Sequence, residues 1–303
     1  MKTAVVFPGQ GAQYFGMGKD FYETFDVSRK ILEEASDTLK MDICKLCFEE
    51  NDKLNITEYT QPAMFTVCVA MYEAFREIGL ETKLTAGLSL GEYAALYVAG
   101  AYDFGEALQC VGKRGLYMQE AVPPGQGAMS AVLGLDIRSI EEICAQTEGK
   151  VTIANYNCPG QTVISGASAK VREVSEALMQ AGALKVVPLN VSGPFHSPML
   201  REAGEKLRSE LGQIHWRPLQ IPYVANRNAR LIEDKEVIPD ILVEQISSPV
   251  LWQQSVETML AQGVEKFIEI GPGNTLKKFI RKITKDVLVE NIETVEDLMR
   301  YGE

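Results

Sequence analysis

Ser89 sits in the hexapeptide GLSLGE (residues 87–92), a GxSxG arrangement that can present a hydroxyl on a sharp strand-to-helix turn. A serine attacks an acyl carbon only when a base takes its proton. The chain has two histidines, His196 and His215. His196 lies in VSGPFHSPML, a loop bounded by Gly and Pro of the kind that carries active-site residues. His215 lies in GQIHWRP beside Trp216 and reads as structural. The expected pair is therefore Ser89 and His196. The N–H of Leu90 opens the following helix and faces the place where an oxyanion would form, with the helix dipole adding to it. Gln10, between Gly9 and Gly11, is the candidate for the second donor because glycines let the backbone come close. Arg114 lies in the otherwise mostly apolar or small ALQCVGKRGLYM, where its planar fork would suit a carboxylate. By itself it could equally be a surface arginine closing a helix.

The surrounding pattern supplies elements to hold these residues. TAVVFPG (3–9) reads as a buried strand stopped by Pro8-Gly9. Residues 19–40 and 60–80 are helical by pattern, the second largely apolar with Pro62 near its start. KLTAGLSLGEYAALYVAG (83–100) reads as strand, turn and helix, the context that GxSxG requires. After Pro123-Pro124-Gly125 the order becomes βαββαβ: strand 127–134, helix 136–149, strands 151–157 and 161–167, helix 168–183 and strand 184–193. A helix at 197–214, a strand at 218–226, helices within 238–263, a strand at 266–274 and a basic helix at 275–286 follow. The expected fold is α/β, hydrolase-like, with a mostly parallel sheet and helices on both faces. Residues 1–125 and 196–303 form its large catalytic domain and 126–195 an inserted ferredoxin-like subdomain.

Bulk properties narrow the function classes. A chain of 303 residues with 46% hydrophobic and 23% charged residues has an ordinary globular composition. Its apolar runs fall short of the roughly 18 residues of a membrane span. MKTAVVFPGQG is too short and wrongly flanked for a secretory signal, so a cytoplasmic protein is expected. A net charge of -11 argues against nucleic acid as a partner. The six cysteines fit reduced, mostly buried thiols, and the Cys44-x-x-Cys47 pair lacks the further ligands zinc needs. GQGAQYFG is not a dinucleotide fingerprint, because Tyr14 stands where the third glycine belongs. No metal or cofactor is expected.

Several stretches together carry a resemblance: FPGQGAQ (7–13), TQPA (60–63), GLSLGE, KRGLYMQEAVPPGQGAM (113–129), NYNCPGQTVISG (155–166), GPFHSPM (193–199), EQISSPVLW (244–252) and IEIGPG (268–273). In this order, and nearly end to end, they resemble the malonyl-CoA:acyl carrier protein transacylases, the acyltransferases of bacterial fatty acid synthesis. The resemblance implies transfer of a malonyl group from malonyl-CoA to the phosphopantetheine thiol of acyl carrier protein through a malonyl-serine, with ping-pong kinetics. It implies Ser89 as nucleophile, His196 as base, Gln10 and Leu90 as oxyanion-hole amides and Arg114 as partner of the substrate carboxylate. Gln245 matches the residue whose backbone carbonyl holds the histidine in place of the usual acid. The family commonly has His where this chain has Leu88, one residue before the serine.

A histidine facing a neutral carbonyl should be a weaker base than one facing an aspartate, which should slow hydrolysis of the acyl-serine. An acid placed at Gln245 is then expected to raise hydrolysis. Carrier proteins are typically acidic, so an acidic enzyme needs a local basic patch. Lys277, Lys278, Arg281, Lys282 and Lys285 share one short helix, which suits a solvated face equally well. A monomer is expected. The alternatives are a discrete acyltransferase of a polyketide pathway, which would share every motif, a serine thioesterase or hydrolase, and a non-catalytic binding module. Gln245 in place of an obvious acid, together with Arg114, weighs against the hydrolase. Phe195 favours malonyl over branched extenders by resemblance only.

Overall fold

A computed structural model describes residues 1–191 and 193–301. Ser192, within the expected strand 184–193, and the last two residues of the expected large domain lie outside the described residues. The strands run in chain order as β1 (Thr3–Phe7), β2 (Leu84–Gly87), β3 (Gly127–Leu133), β4 (Val151–Cys158), β5 (Gln161–Ala167), β6 (Lys185–Pro188), β7 (Tyr223–Val224), β8 (Leu231–Ile232), β9 (Lys266–Ile270) and β10 (Leu288–Ile292). They form two sheets. The larger has the order β10-β9-β1-β2-β7-β8 and the smaller β4-β5-β3-β6.

The five strands from β10 to β7 pair in parallel, and β8 closes the edge antiparallel. Alternation along β1 explains why helices cover both faces. Val5 and Phe7 join the cluster that includes the long helix Thr57–Glu77. Ala4 and Val6 face the opposite layer, with Trp252 of helix Trp252–Ala261 and Phe279 of helix Thr275–Ile283. The smaller sheet is antiparallel throughout, with helices Ile137–Ala145 and Ser168–Gln180 over one face. The α/β class expected from sequence is found, and the order β4-β5-β3-β6 is the ferredoxin-like arrangement. The small sheet is tied to the large unit where Tyr156 N–H donates to Val250 O at 3.0 Å and Val250 N–H to Ala154 O at 2.8 Å.

Three of the differences from expectation have a local cause. The strand expected over 218–226 shrinks to Tyr223–Val224, because Pro218 and Pro222 have no N–H to give a ladder. The helix expected over 19–40 breaks at Phe25, whose backbone is extended while its ring stacks on Phe21 at 6.1 Å. Pro62 lies inside its helix, which begins five residues earlier at Thr57.

At the carboxyl ends of β1 and β2 the backbone is packed too tightly for side chains. A Cβ on Gly91 would stand 2.2 Å from Phe7 O, and one on Gly87 2.0 Å from the Gly91 carbonyl. A Cβ on Gly9 would stand 2.5 Å from Leu88 O, so the Gly9-Gln10 turn lies directly against the serine turn. Gly91→Ala should therefore destabilise the fold by about 3 kcal/mol through overpacking against backbone. Denaturant unfolding at unchanged m-value checks this, with Gly105→Ala as the comparison, where a Cβ would meet only Glu34 Oε1 at 3.6 Å.

Candidate active site

Between β2 and helix Gly91–Val98, Ser89 takes a φ of 53°, a left-handed conformation that costs a non-glycine residue about 1–3 kcal/mol. Asn226 holds the turn in that state. Its Oδ1 accepts the Ser89 N–H at 2.6 Å, and its Nδ2 donates to Gly87 O at 2.6 Å. Asn226 follows β7, so the strained turn is clamped by the neighbouring strand's end.

His196 also has a positive φ, of 57°, and is buried. Its Nδ1–H donates to the backbone carbonyl of Gln245 at 2.9 Å. A carbonyl only accepts, so Nδ1 carries the proton and Nε2 is left with its lone pair. That nitrogen accepts from Ser89 Oγ–H at 2.7 Å. The pairing is thus Ser89 with His196, while His215 is exposed on the surface. Burial and the nearby Arg114 charge hold the His196 pKa down at about 4, so the imidazole is neutral at pH 7.

Arg114, from helix Phe104–Glu120, is fully buried. One amino group donates to Gln61 Oε1 at 2.7 Å, and the other reaches Gln245 Oε1 at 3.0 Å and Ser89 Oγ at 3.2 Å. The guanidinium carbon lies 5.3 Å from the Tyr93 ring centre. These partners are neutral, which leaves the guanidinium able to pair with an incoming anion. Ser89, His196, Arg114, Gln10, Leu90 and Leu88 line one pocket of about 180 Å³ together with Met118, Met129, Asn155, Asn157, Phe195 and Phe279. Among the described residues neither the Gln10 nor the Leu90 backbone N–H has a protein acceptor. Leu88 is half-buried against the Trp252 layer, so its side chain is a piece of pocket wall.

The expected effect of an acid at Gln245, not the role of its carbonyl, is what changes. The side chain does not face His196, whose contact is with the carbonyl. Its Oε1 accepts from Arg114, and its Nε2 donates to Ser89 O at 2.9 Å and to Glu92 Oε2 at 2.7 Å. An acid at this position would therefore act on Arg114 and Glu92 rather than on the imidazole. Lys277 is corrected too. Its Nζ donates to Asn291 Oδ1 at 2.7 Å, leaving Lys278, Arg281 and Lys282 as the exposed cations of that helix, with Lys285 exposed just beyond its end. The Cys44 thiol is held up at about 11 by burial and nearby acids, and that of Cys47 is pushed higher still by burial.

Gln61, Glu92 and Asn226 also belong to the site, and sequence pattern does not single them out beyond the place of Gln61 in TQPA and of Glu92 in GLSLGE. Asn155 and Asn157, two apart on β4, share the face toward the pocket, while Tyr156 between them points to Glu141.

An α/β sheet that presents a strained serine, a neutral histidine and a buried arginine in one pocket defines an acyl-group enzyme. The chain belongs to the acyl transferase domain family, which matches residues 4–300. Within that family it is similar to the malonyl CoA-acyl carrier protein transacylase of Bacillus subtilis (strain 168), 42% identical over 97% of this chain and 95% of the relative. The crystal structure of the Clostridium perfringens malonyl CoA-acyl carrier protein transacylase superposes with a TM-score of 0.95 at 40% identity, covering 99% of this chain and 96% of that one. A malonyl-transacylase solved in complex with its type II PKS acyl-carrier protein superposes with a TM-score of 0.96 at 38% identity, over 99% and 98% of the two chains. The chain is an acyltransferase.

A depressed histidine pKa is also a statement about stability. The unfolded chain binds a proton near pH 6.5 that the folded protein refuses until about pH 4, so this group's contribution to stability is lost as pH falls between them. His196→Gln should reduce the acid sensitivity of unfolding by about 2 kcal/mol between pH 7 and pH 5. Denaturant titrations of both proteins at the two pH values measure it.

Proposed function

We propose that this chain transfers a malonyl group from malonyl-CoA to the phosphopantetheine thiol of an acyl carrier protein through a malonyl ester on Ser89. The observation that carries the reading is Arg114, a fully buried cation with neutral partners, 3.2 Å from Ser89 Oγ. A malonyl thioester has its carboxylate one methylene from the reacting carbonyl, so a short diacid fits a cation that close. An uncharged acetyl group would leave that cation unpaired in a desolvated pocket.

In this mechanism His196 Nε2 takes the proton as Ser89 Oγ bonds to the thioester carbon. The negative charge forming on the carbonyl oxygen is met by the N–H groups of Gln10 and Leu90. The C–S bond then breaks, and CoA leaves with the proton from His196. In the second half the carrier thiol gives its proton to His196, its sulfur attacks the ester, and Ser89 Oγ regains the proton. Every atom balances without a cofactor. The enzyme acts in this reading as a cytoplasmic monomer, and its six free thiols fit a reducing compartment.

Thr275 and Phe279 line the pocket, and Lys278, Arg281, Lys282 and Lys285 are exposed on the same stretch or just beyond it. In the proposed reading these four receive the acidic carrier protein. Similarity to the malonyl-transacylase that acts with a type II PKS carrier keeps a polyketide role as the second reading. It changes the carrier, not the chemistry.

Incubation with malonyl-CoA should add one malonyl group to the wild-type protein and none to Ser89→Ala, read by mass spectrometry. Arg114→Ala should lower kcat/KM for malonyl-CoA by roughly 100-fold or more, the cost of removing one side of a buried ion pair, and lower transfer from acetyl-CoA by much less, so that the preference for malonyl is lost. A mutant that keeps its malonyl preference would refute the carboxylate role. Reversing Lys278 and Arg281 to Glu should raise the KM for carrier protein and spare that for malonyl-CoA. An unchanged carrier KM would remove the basic patch from the mechanism.

A further inference from the structure

Glu92, the last residue of GLSLGE, takes no part in the transfer as written, yet its side chain is fully buried beside the reacting pair. Its Oε2 accepts from Gln245 Nε2 at 2.7 Å and from the Asn226 backbone N–H at 3.2 Å. Those two residues are the ones that hold the chemistry in place. Gln245 carries the carbonyl that receives His196 Nδ1–H, and its Nε2 also donates to the Ser89 carbonyl. Asn226 receives the Ser89 N–H on its Oδ1 and donates to Gly87 O. One carboxylate oxygen thus ties together the ends of β7 and of helix Ile238–Gln245, the two segments that clamp the serine turn and the imidazole.

We propose that Glu92 is the positioning residue of the Ser89–His196 pair, the acid of a triad set back by one residue and acting through Gln245 and Asn226. The Gln245 amide lies between two groups of opposite character. Arg114 can only donate to its oxygen, and the carboxylate can only accept from its nitrogen, so the amide has one orientation. That orientation fixes the residue whose carbonyl holds His196. Without the acceptor at Glu92, the amide nitrogen keeps only its longer bond to the Ser89 carbonyl, and the carbonyl behind it loses part of its anchor.

Burying a carboxylate is expensive unless its hydrogen bonds are supplied, which makes a purely space-filling role for Glu92 a poor one. Around it stand Arg114 from helix Phe104–Glu120, Tyr93 from its own helix and Tyr223 from β7. Burial holds its pKa up at about 7, opposed by the bonds from Gln245 and Asn226 and by the Arg114 charge. The carboxylate form therefore gives way to the acid as pH falls through neutrality. Because Glu92 acts through His196, this gives wild-type kcat an inflection well above the His196 pKa of about 4.

The inference rests on the Ser89 malonyl-transfer reading, and Ser89→Ala separates the two. If Ser89→Ala still transfers malonyl, that reading fails. If it is inactive, the Glu92 variants test the positioning role alone. Glu92→Gln keeps the size and removes the charge. With native circular dichroism, it should lower kcat about 10- to 100-fold, part of what a general base contributes, with the KM for malonyl-CoA within about twofold. Its pH profile should lose the inflection near neutrality, which a merely structural residue would not control. Wild-type kcat with a wild-type pH profile, or a change confined to KM, would overturn the proposal. Should Glu92→Gln not fold, Glu92→Asp keeps the charge and retracts it by one methylene. A lowered kcat with the inflection retained supports the role, and a wild-type rate in that variant overturns it.

Discussion

The amide of Gln245 is held between a buried cation and a buried carboxylate, and the rest of the site depends on that arrangement. Arg114 and Glu92 make no direct contact in this pattern, because the glutamine side chain separates them and takes one bond from each. A direct ion pair would have neutralised Arg114 and left it nothing to offer a substrate. With an amide between them, each charge is partly compensated and the guanidinium keeps bonding capacity toward the pocket. The same residue's backbone carbonyl orients His196, so the carboxylate-binding group and the base are referred to one point in the structure. Shared support of this kind makes their relative positions insensitive to small movements elsewhere.

Low dielectric surroundings set the chemical character of the pair. His196 is desolvated and lies near a positive charge, so its neutral form persists far below pH 7. A neutral imidazole with its free lone pair on Nε2 is ready to accept a proton, but it is a weak base. A weak base suits an enzyme that must pass an acyl group to a thiol rather than to water, because a thiol gives up its proton far more easily. The pocket wall adds to this discrimination with Met118, Met129, Leu189, Val191 and Phe195, apolar side chains that offer water few partners.

The parts of this site that could be read in the sequence are those fixed by local backbone geometry. GLSLGE between a strand and a helix specifies a strained turn, and the clash distances at Gly87 and Gly91 show why those letters cannot vary. His196 was legible because few histidines compete for the role. Asn226 was not, because its contact with Ser89 spans 137 positions and nothing near it in sequence signals a polar clamp. Glu92 was hidden for another reason. An acidic residue in the first turn of a helix ordinarily complements the dipole from the surface, and only packing reveals that this one is buried. In the fold, alternation and turn residues located the sheet strands, whereas Pro218 and Pro222 reduced an apparent nine-residue strand to two paired residues. β10 and helix Val295–Met299, after the basic helix, were not assigned from pattern at all.

Two sets of positive charge bear on the proposed function in a chain whose net charge is -11. Arg114 lies inside, desolvated, where its attraction for a carboxylate is strong and short-ranged. The exposed cations on the helix Thr275–Ile283 and just after it lie in high dielectric, where each is worth little but the group can steer an anionic partner. The acidic remainder of the surface repels such a partner elsewhere, which sharpens the patch instead of opposing it. In the proposed function the inner charge selects the acyl group and the outer charges select its carrier protein. The helix joins the two tasks, because Thr275 and Phe279 form pocket wall on the element that carries the outer cations. In that reading an acidic carrier drawn to this helix is brought beside the pocket that holds Ser89.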